Sequence, residues 1–457
     1  MLSLRAATAT SRKSLQVNIR RSAYTTRRGL LTLAIETSCD DTSVAIVDKT
    51  NSRADILFLE NITCDSTAYR GIHPVCALQS HQANLAKLTT KALARLPFAS
   101  GSETNPHKLI PLPDGNRQKP DFISVTRGPG MRSNLNVGLD TAKGLSVAWQ
   151  IPLVGVHHMQ AHLLTPRLVS ALSPDSPNIT PEFPFFSILA SGGHTILTTS
   201  TSLTAHSVLA TTNGFSIGKA LDTFAREVVP ESLLATSKNT MYGKLLEQWA
   251  FPNGPADYAD YTAARTRGEE MARSHRDTGY EWTMAIPLVN TRDLALSFAH
   301  LHQPLAYIQT QRTIADEERV ALAREGMRTC FEHVGSRTII ALESLARTQD
   351  IRTLVVSGGV AANQFFRRVL RSFLDVRGFE HVRVVAPPPA LCTDNAAMIG
   401  WAGIEMFEAG WRSDLSVEAL RRWSLDAESG GKGEREEQRI DDEQAFGVLG
   451  ARGWVRV

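Results

Sequence analysis

Apolar and polar residues alternate in short runs of strand length near the start of the chain. The runs LTLAIE (31–36), VAIVD (44–48) and ILFLEN (56–61) are rich in β-branched residues and are separated by turn formers. They predict three short strands that form a β-meander. A helix-like pattern follows over about residues 76–96. Strand and helix patterns then alternate over residues 122–126, 134–149, 152–156 and 157–172.

The same order of elements begins again after a proline- and serine-rich stretch. FFSILA (185–190), TILTTS (195–200) and HSVLATT (206–212) predict a second meander, and a long helical pattern covers residues 312–349. The pattern ends with a strand, a helix, a strand and a helix over residues 352–359, 360–375, 381–387 and 393–408. Two halves that each open with a meander and continue with βα units predict an α/β fold of two related lobes with a central cleft.

Segments rich in proline, glycine or charged residues indicate where these lobes begin and end. Residues 30–172 are predicted to form the N-terminal lobe, with the proline-rich segment 97–120 as a surface insertion because proline suits neither a helix nor a central strand. Residues 173–425 are predicted to form the C-terminal lobe, in which 251–290 is a polar insert without clear periodicity. The charged and glycine-rich tail 426–457 is expected to be partly disordered.

Charge is unevenly distributed along the chain. Residues 1–29 carry seven basic side chains, many Ser, Thr and Ala and no acid, and the first carboxylate is Glu36. This composition is typical of a mitochondrial transit peptide and predicts the mitochondrial matrix as the destination. A disordered basic tail that binds an acidic partner is the alternative. Without these seven charges, 42 basic and 46 acidic residues remain, and the net charge changes from +3 to −4.

Composition excludes several classes of protein. A hydrophobic content of 42% is too high for a disordered chain. No window holds the roughly 20 uninterrupted apolar residues that a membrane helix needs, so stable membrane insertion is not expected. The five cysteines are scattered and include no CxxC pair, which argues against a disulfide framework or a cysteine zinc site and favours a reducing compartment.

The sequence GVHHMQAHLL places two histidines, His158 and His162, one helical turn apart. Two imidazoles at this spacing can bind one metal ion. Thirteen histidines in this chain give roughly 0.4 such pairs by chance, so the pair alone is weak support for a metal site. Met159 follows His158, so the HExxH motif of zinc peptidases, with its general base, is absent.

Two Ser-Gly-Gly loops, at 191–193 and 357–359, each follow a strand that is predicted to be buried. Paired glycines let backbone N–H groups approach an anionic oxygen, and the second loop opens a helix whose N-terminus favours phosphate. Each loop could instead be a simple tight turn. Their repetition in both halves favours a nucleotide-binding cleft.

Three acidic residues allow two interpretations each. Asp40 and Asp41 lie in a turn between two strands, where they could be turn formers or could hold a metal or orient a water molecule. Asp394 begins a helix after three prolines, where it could offset the helix dipole or be a third ligand beside the two histidines. Sequence spacing does not decide between these roles.

Taken together and in order, six motifs resemble the tRNA threonylcarbamoyladenosine transferase family, which has also been described as O-sialoglycoprotein endopeptidases. The resemblance covers about residues 32–425. The motifs are LAIETSCDDTSVAIVD, SVTRGPGMRSNLNVGLDTAKGL, PLVGVHHMQAHLL, LASGGHT, VVSGGVAANQFFRR and LCTDNAAMIGWAG. The resemblance implies the actin/Hsp70/sugar-kinase fold, an ATPase-like α/β fold of two related lobes with a central cleft.

The resemblance also implies an activity and a set of partners. Family members transfer a threonylcarbamoyl group from threonylcarbamoyl-adenylate, which a separate synthase makes, to the exocyclic amine of the adenosine next to the anticodon. With a transit peptide, the chain resembles the mitochondrial members. This implies mitochondrial tRNAs that read codons beginning with adenine as substrates, and a homodimer as the working form.

Site residues carried over from the family's motifs form two groups. His158, His162 and Asp394 match the family's metal ligands and imply one divalent metal ion per subunit, iron or zinc. Two imidazoles and one carboxylate leave coordination positions open, as a catalytic site requires. The residues that match the adenylate-binding positions are Ala190, Ser191, Gly192, Gly193, His194, Asp222, Gly243 and Asn363.

The chain departs from the family's pattern around the expected donor pocket. Family members carry acids shortly before and just after the glycine that corresponds to Gly218, where this chain has Gly214, Phe215 and Lys219. Lys219 could pair with a phosphate oxygen or be a solvated surface lysine. A metal-dependent endopeptidase, an ATPase or kinase of the same fold, and a non-catalytic scaffold are the alternative functions.

No strong basic patch for tRNA is evident from composition. Two arginine groups could bind phosphates or could be solvated faces. They are Arg367, Arg368 and Arg371 on a predicted helix, and Arg265, Arg267, Arg273 and Arg276 in the polar insert.

Overall fold

The computed structural model describes most of the chain after the basic leader. The predicted transit peptide, apart from its last residue, lies outside the described residues. The described residues are 29–66, 69, 71–99, 105–174, 177–212, 214–237, 242–274, 276–301, 313–428 and 444–457.

The first lobe is built on a seven-stranded sheet. The predicted meander is present as β1 (Leu30–Glu36), β2 (Asp41–Thr50) and β3 (Arg53–Thr63), which pair antiparallel. β1 also pairs in parallel with β6 (Phe122–Gly128), which pairs in parallel with β7 (Leu153–His157). Both β6 and β7 are buried along their whole length, which explains why their sequences are apolar runs without alternation.

Three helices cover this sheet at the positions that the periodicity predicts. They are α1 (Pro74–Leu93), α2 (Arg132–Trp149) and α3 (His158–Leu172). α3 follows β7 without a loop, so the carboxyl end of a buried strand delivers the chain directly to the first histidine of the predicted metal pair. The carboxyl edge of parallel strands is where α/β proteins commonly place their ligands.

The predicted surface insertion at 97–120 contains a small hairpin. β4 (Leu109–Leu112) pairs antiparallel with β5 (Gly115–Gln118). Ile110 is buried in the core of the first lobe, and the guanidinium of Arg117 lies 3.6 Å from the centre of the Phe98 ring. The segment therefore packs against the lobe along one side.

The second lobe repeats the pattern of the first. β8 (Phe185–Ala190), β9 (Thr195–Ser200) and β10 (His206–Thr211) form an antiparallel meander. β8 pairs in parallel with β11 (Thr353–Ser357), which pairs in parallel with β12 (Arg383–Val385). The prediction of two related α/β lobes is thus confirmed.

Helices of the second lobe surround a long and almost fully buried helix, α8 (Asp316–Leu345). Three of its buried charges are paired, because Arg328 donates hydrogen bonds to Glu325 and Glu332 on the same helix. The other helices are α4 (Ile217–Val228), α5 (Glu231–Leu234), α6 (Gly243–Ala250), α7 (Arg267–Arg273), α9 (Gln364–Val376) and α10 (Pro389–Cys392).

The segment 251–290 is not a peripheral insert. Trp282 and Met284 are buried in the core of the second lobe, and the indole N–H of Trp282 donates a 2.9 Å hydrogen bond to Glu318 on α8. Its apolar residues are spaced irregularly because most of the segment is irregular chain, broken only by the short helix α7 and a 3-10 turn at Gly254–Tyr258.

The C-terminal region corrects the predicted lobe boundary at residue 425. α11 (Ala396–Glu408) packs on β1, β2 and β6 of the first lobe. β13 (Trp411–Ser413) and β16 (Trp454–Arg456) extend the first sheet beyond β7. α11 is buried on nearly every side, so its sequence carries no polar face that could tell which sheet it covers.

The tail that was expected to be partly disordered contains ordered structure at its end. β15 (Gln444–Phe446) pairs in parallel with β14 (Arg422–Ser424). Residues 429–443 lie outside the described residues. Among the helices that are described, none is both long and apolar enough to cross a bilayer.

Replacing Trp423 by alanine should strongly destabilise the protein. Its side chain is 4% exposed, its indole N–H donates to the carbonyl of Gly447, and its ring lies 4.5 Å from that of His157. Loss of a buried aromatic side chain costs about 3–5 kcal/mol. Chemical denaturation measures the free energy of unfolding. A loss below about 1 kcal/mol would contradict a packing role for the C-terminal segment.

Candidate metal centre and donor cleft

The two histidines of the predicted pair lie on the first turns of α3. The side chain of His157 caps this helix, and its Nδ1 accepts hydrogen bonds from the N–H groups of Met159 and Gln160. The rings of His158 and His162 lie 4.8 Å apart and nearly perpendicular. Both side chains are buried, at 7% and 3% exposure.

The structure brings Asp394 to this pair from the other end of the chain. Its Oδ1 lies 3.0 Å from Nε2 of His162 and 3.4 Å from Nε2 of His158. The backbone is held by Asn61, whose side-chain amide donates a 2.8 Å hydrogen bond to the carbonyl of Asp394. Asn395 follows as the N-cap of α11. One ligand atom from each of the three residues lies within 4.8 Å of the others.

This donor set fits a divalent transition metal. Two imidazole nitrogens and one carboxylate oxygen suit iron or zinc, and three protein ligands leave positions open for substrate or water. A group of this kind with at least three such residues occurs only here in the described part of the chain. Iron and zinc share these ligands, so the donor set does not select one of them.

The two carboxylates next to His158 favour a positive charge at this site. Burial alone would lower the pKa of His158, but the carboxylates of Asp394 and Glu36 raise it well above its ordinary value. Burial likewise opposes ionisation of Asp394, yet the positive charge of His158 holds the pKa of Asp394 well below its usual range. A bound metal ion would take the place of the proton on Nε2 of His158.

The acidic turn lies close to this centre without joining the ligand set. Asp41 accepts a 2.5 Å hydrogen bond from the hydroxyl of Thr63, and burial, with Asp394 as a further cause, raises its pKa to about 7. Burial also raises the pKa of Asp40. His81, which the sequence did not indicate, hydrogen-bonds the turn through Thr42. The two acids therefore combine a role in the turn with a place beside the metal ligands.

The first Ser-Gly-Gly loop forms the tight turn between β8 and β9. The hydroxyl of Ser191 accepts hydrogen bonds from the N–H groups of Gly193 and His194. A Cβ atom added to Gly192 or Gly193 would meet nothing within 4 Å, so the loop faces open space. His194 interacts electrostatically with His158, His162 and Asp394, which places the loop beside the candidate metal centre.

The loop rests on the N-terminus of α4. The hydroxyl of Ser216 donates a 2.6 Å hydrogen bond to the carbonyl of Gly192, and the N–H of Gly218 donates to the carbonyl of Ser191. Asp222, one turn further along α4, accepts a 2.8 Å hydrogen bond from the N–H of Gly243. The structure therefore joins two of the predicted adenylate residues directly, Asp222 on the helix that supports the loop and Gly243 at the start of α6.

The second Ser-Gly-Gly loop differs from the first. The carboxylate of Glu247 on α6 accepts hydrogen bonds from the N–H groups of Gln364 (2.7 Å) and Phe365 (3.3 Å) at the start of α9. The expectation that this helix N-terminus binds phosphate is therefore wrong, because an internal acid already occupies it. No feature of the sequence around Glu247 indicates this contact.

Asn363 begins the same helix. Its side-chain oxygen accepts a 2.9 Å hydrogen bond from the N–H of Phe366, and the residue is 8% exposed. In the described part of the chain, no hydrogen bond joins Asn363 to the other predicted adenylate residues. Its amide N–H group instead contacts the sulfur of Met327.

The family model of the tRNA N6-adenosine threonylcarbamoyltransferases matches residues 57–401. The chain belongs to this family. Its two lobes have the actin/Hsp70/sugar-kinase-like arrangement that membership implies. Among solved structures, this chain is similar to component A of Acidaminococcus fermentans (R)-2-hydroxyglutaryl-CoA dehydratase, with a TM-score of 0.38 and 13% sequence identity. The match covers 83% of this chain and 97% of that chain.

Relatives are similar over almost their full lengths. The mitochondrial tRNA N6-adenosine threonylcarbamoyltransferase of Schizosaccharomyces pombe is 35% identical over 415 residues, which is 87% of either chain. The tRNA N6-adenosine threonylcarbamoyltransferases of Novosphingobium aromaticivorans and Sinorhizobium medicae are 32% and 33% identical, and each match covers 87% of this chain and 96% of the relative.

Lys219, at a position where the resemblance implies an acid, lies on the first turn of α4. The side chain of Lys219 is exposed, and its ammonium lies 5.0 Å from the centre of the Phe215 ring. In the described part of the chain, no carboxylate lies within salt-bridge distance of it. Lys219 therefore puts a positive charge next to the loop, at a position where the resemblance implies an acid.

The arginines considered as tRNA contacts are largely committed to the fold. Arg267 donates hydrogen bonds to the carbonyls of Val289 and Thr291 and pairs with Glu270. Other backbone carbonyls accept from the side chains of Arg367, Arg368 and Arg371. These guanidinium groups therefore stabilise loops of the second lobe.

Proposed function

We propose that this chain transfers the threonylcarbamoyl group from threonylcarbamoyl-adenylate to the N6 amine of the adenosine next to the anticodon of tRNA. The observation that supports this most is the placement of His158, His162 and Asp394 beside an open glycine loop. Membership of the tRNA N6-adenosine threonylcarbamoyltransferase family supports the same reaction.

A bound iron or zinc ion would supply Lewis-acid stabilisation of oxygens that gain negative charge during transfer. The chain's own residues bind and orient the donor. The open loop at Gly192 and Gly193 leaves room for the phosphate close to the backbone. Asp222, which accepts from the N–H of Gly243, would also accept hydrogen bonds from the nucleoside. The donor is already an activated mixed anhydride, so the protein contributes mainly positioning and electrostatic stabilisation.

Two alternative functions fit this geometry less well. A peptidase of the HExxH type needs a carboxylate next to its first histidine, but Met159 stands there and Glu36 is fully buried behind His158. A kinase that binds phosphate at the N-terminus of α9 would have to displace Glu247, which accepts from the N–H groups of Gln364 and Phe365. Neither obstacle applies to transfer from an adenylate bound at the first loop.

We further propose that the reaction takes place in the mitochondrial matrix, on mitochondrial tRNAs that read codons beginning with adenine, and that the working form is a homodimer. The mitochondrial relative from Schizosaccharomyces pombe and the basic leader support this location. In a deletion strain, mass spectrometry of mitochondrial tRNA nucleosides should show loss of threonylcarbamoyladenosine. Unchanged levels would contradict the proposal.

Binding of the donor should weaken as Asp222 takes up a proton. Burial raises the pKa of Asp222 to about 6, and the N–H groups of Gly243 and Tyr242 only partly oppose this. Below this pH the neutral carboxyl accepts hydrogen bonds less well. We expect the affinity for adenosine monophosphate, the adenylate part of the donor, to fall about tenfold from about pH 7.5 to about pH 5. Isothermal titration calorimetry checks this.

Asp222→Asn is the matched variant, and its affinity should be low and nearly independent of pH over this range. Because the folded-state pKa lies above the ordinary value of 3.8, protonation of Asp222 favours the folded protein. Stability from this group is therefore present at low pH and decreases as pH rises toward 6. If the affinity of Asp222→Asn also fell about tenfold between about pH 7.5 and about pH 5, this carboxyl would not be the cause of the pH dependence.

A further inference from the structure

Glu36 is a fully buried carboxylate at the end of an apolar strand. It ends β1, where the preceding residues of the run LTLAIE pack in the core, and its own exposure is 0%. Burying a carboxylate is unfavourable unless hydrogen bonds and a positive charge compensate it. The surroundings of Glu36 therefore indicate why an acid is kept at this position.

Three groups donate hydrogen bonds to this carboxylate. Its Oε1 accepts a 2.5 Å hydrogen bond from the N–H of Ser38, and its Oε2 accepts from the hydroxyl of Thr126 on β6. Oε2 also lies 3.1 Å from Nδ1 of His158. Among the described residues, His158 is the only salt-bridge partner of Glu36. Strands β1 and β6 thus fix the carboxylate, and the carboxylate in turn contacts one ring.

Nδ1 of His158 lies nearer to Glu36 (3.1 Å) than to the hydroxyl of Ser38 (3.3 Å), and the contact with Glu36 indicates which nitrogen of His158 can bind a metal. A hydrogen on Nδ1 that is donated to Glu36 leaves the lone pair on Nε2, which points toward Oδ1 of Asp394 at 3.4 Å. His162 has no comparable support, because its buried Nδ1 has no hydrogen-bond partner among the described residues. Carboxylates that hold a ligand histidine in this way commonly tune metal affinity.

We propose that Glu36 is a positioning residue that holds the His158 ring with Nε2 directed at the metal. The inference rests on the metal centre proposed above. It assigns to the motif ETSCDDT a role that the turn acids Asp40 and Asp41 do not fill. A purely structural role for Glu36 would affect stability alone, whereas positioning of His158 also affects the metal.

The test measures Zn²⁺ affinity of the full chain by competition with a chromogenic chelator, and the visible absorption of its Co²⁺ form. Glu36→Gln keeps the size of the side chain but removes its charge. We expect Zn²⁺ affinity to fall about 10–100-fold and the Co²⁺ bands to shift. Glu405→Gln is the matched control, since Glu405 is a buried acid that pairs with Arg167 and, among the described residues, forms no hydrogen bond or ion pair with His158 or His162.

Glu405→Gln should leave Zn²⁺ affinity and the Co²⁺ spectrum unchanged. If Glu36→Gln does not fold, Thr126→Val tests the inference, because it removes one hydrogen-bond donor to Glu36 and leaves His158 unchanged. We expect this variant to lose about threefold or more in Zn²⁺ affinity. The inference would be overturned if the variant that folds, Glu36→Gln or Thr126→Val, bound Zn²⁺ within about twofold of the affinity of the unaltered chain. Failure of the unaltered chain to bind either ion would overturn the metal centre itself, and the role of Glu36 with it.

Discussion

Replacing His162 by alanine should abolish threonylcarbamoyl transfer while the protein stays folded. The substitution removes one of the three proposed metal ligands, and a site with only His158 and Asp394 would hold a divalent ion weakly. Loss of the electrostatic stabilisation that the ion supplies should lower kcat/KM at least 100-fold, or about 3 kcal/mol in the transition state. Mass spectrometry of modified tRNA measures the rate, and elemental analysis measures the bound metal.

His206→Ala is the matched control for this experiment. His206 is also a buried histidine, but it lies on β10 and hydrogen-bonds Ser200 and the carbonyl of Leu203. Its removal should lower thermal stability and leave the metal content of the folded protein unchanged. Normal transfer by a metal-free His162→Ala protein would contradict a catalytic role for the metal centre.

Local patterns predicted most strands and helices of this chain closely. The strands at 185–190 and 195–200 have the predicted bounds, and the helix predicted at 157–172 begins one residue later. These elements are short, apolar and bounded by turn formers, so local propensity and tertiary packing agree. The repetition of meander and βα units was enough to predict two lobes.

The sequence predicts contacts between distant elements less well, because these contacts depend on which helix and strand surfaces pack together in the fold. The helix at 396–408 was assigned to the wrong lobe, since it is apolar all round. Asp394 lies 232 positions from His162, and only the fold brings its carboxylate within 3.0 Å of the ring. Glu36 and Glu247 were missed for the same reason: each acts through a contact with a distant element.

Replacing Gly218 by alanine should impair donor binding and leave the metal centre intact. A Cβ atom at this position would lie 2.6 Å from the carbonyl oxygen of Ser191 and 2.8 Å from the nitrogen of Gly192. These are backbone atoms, so the clash can be relieved only if α4 and the loop move apart. The hydrogen bonds from Ser216 and Gly218 that hold the loop would then lengthen.

We expect this displacement to lower kcat/KM for threonylcarbamoyl-adenylate about 100-fold, since misplacement of a substrate by about 1 Å can have an effect of that size. Zn²⁺ affinity should stay within about twofold of the unaltered value, because the ligands His158, His162 and Asp394 lie on other elements. Steady-state kinetics with limiting donor and chelator competition measure the two quantities separately.

Gly144→Ala on α2 is the control, because a Cβ atom there would meet nothing within 4 Å. It should keep full activity, and the better helix propensity of alanine should increase stability by about 0.5–1 kcal/mol. A Gly218→Ala protein with normal kcat/KM would mean that the loop does not bind the donor. Parallel loss of donor and Zn²⁺ binding would mean instead that α4, the loop and the metal ligands move as one unit, so that donor and metal share a single rigid cleft.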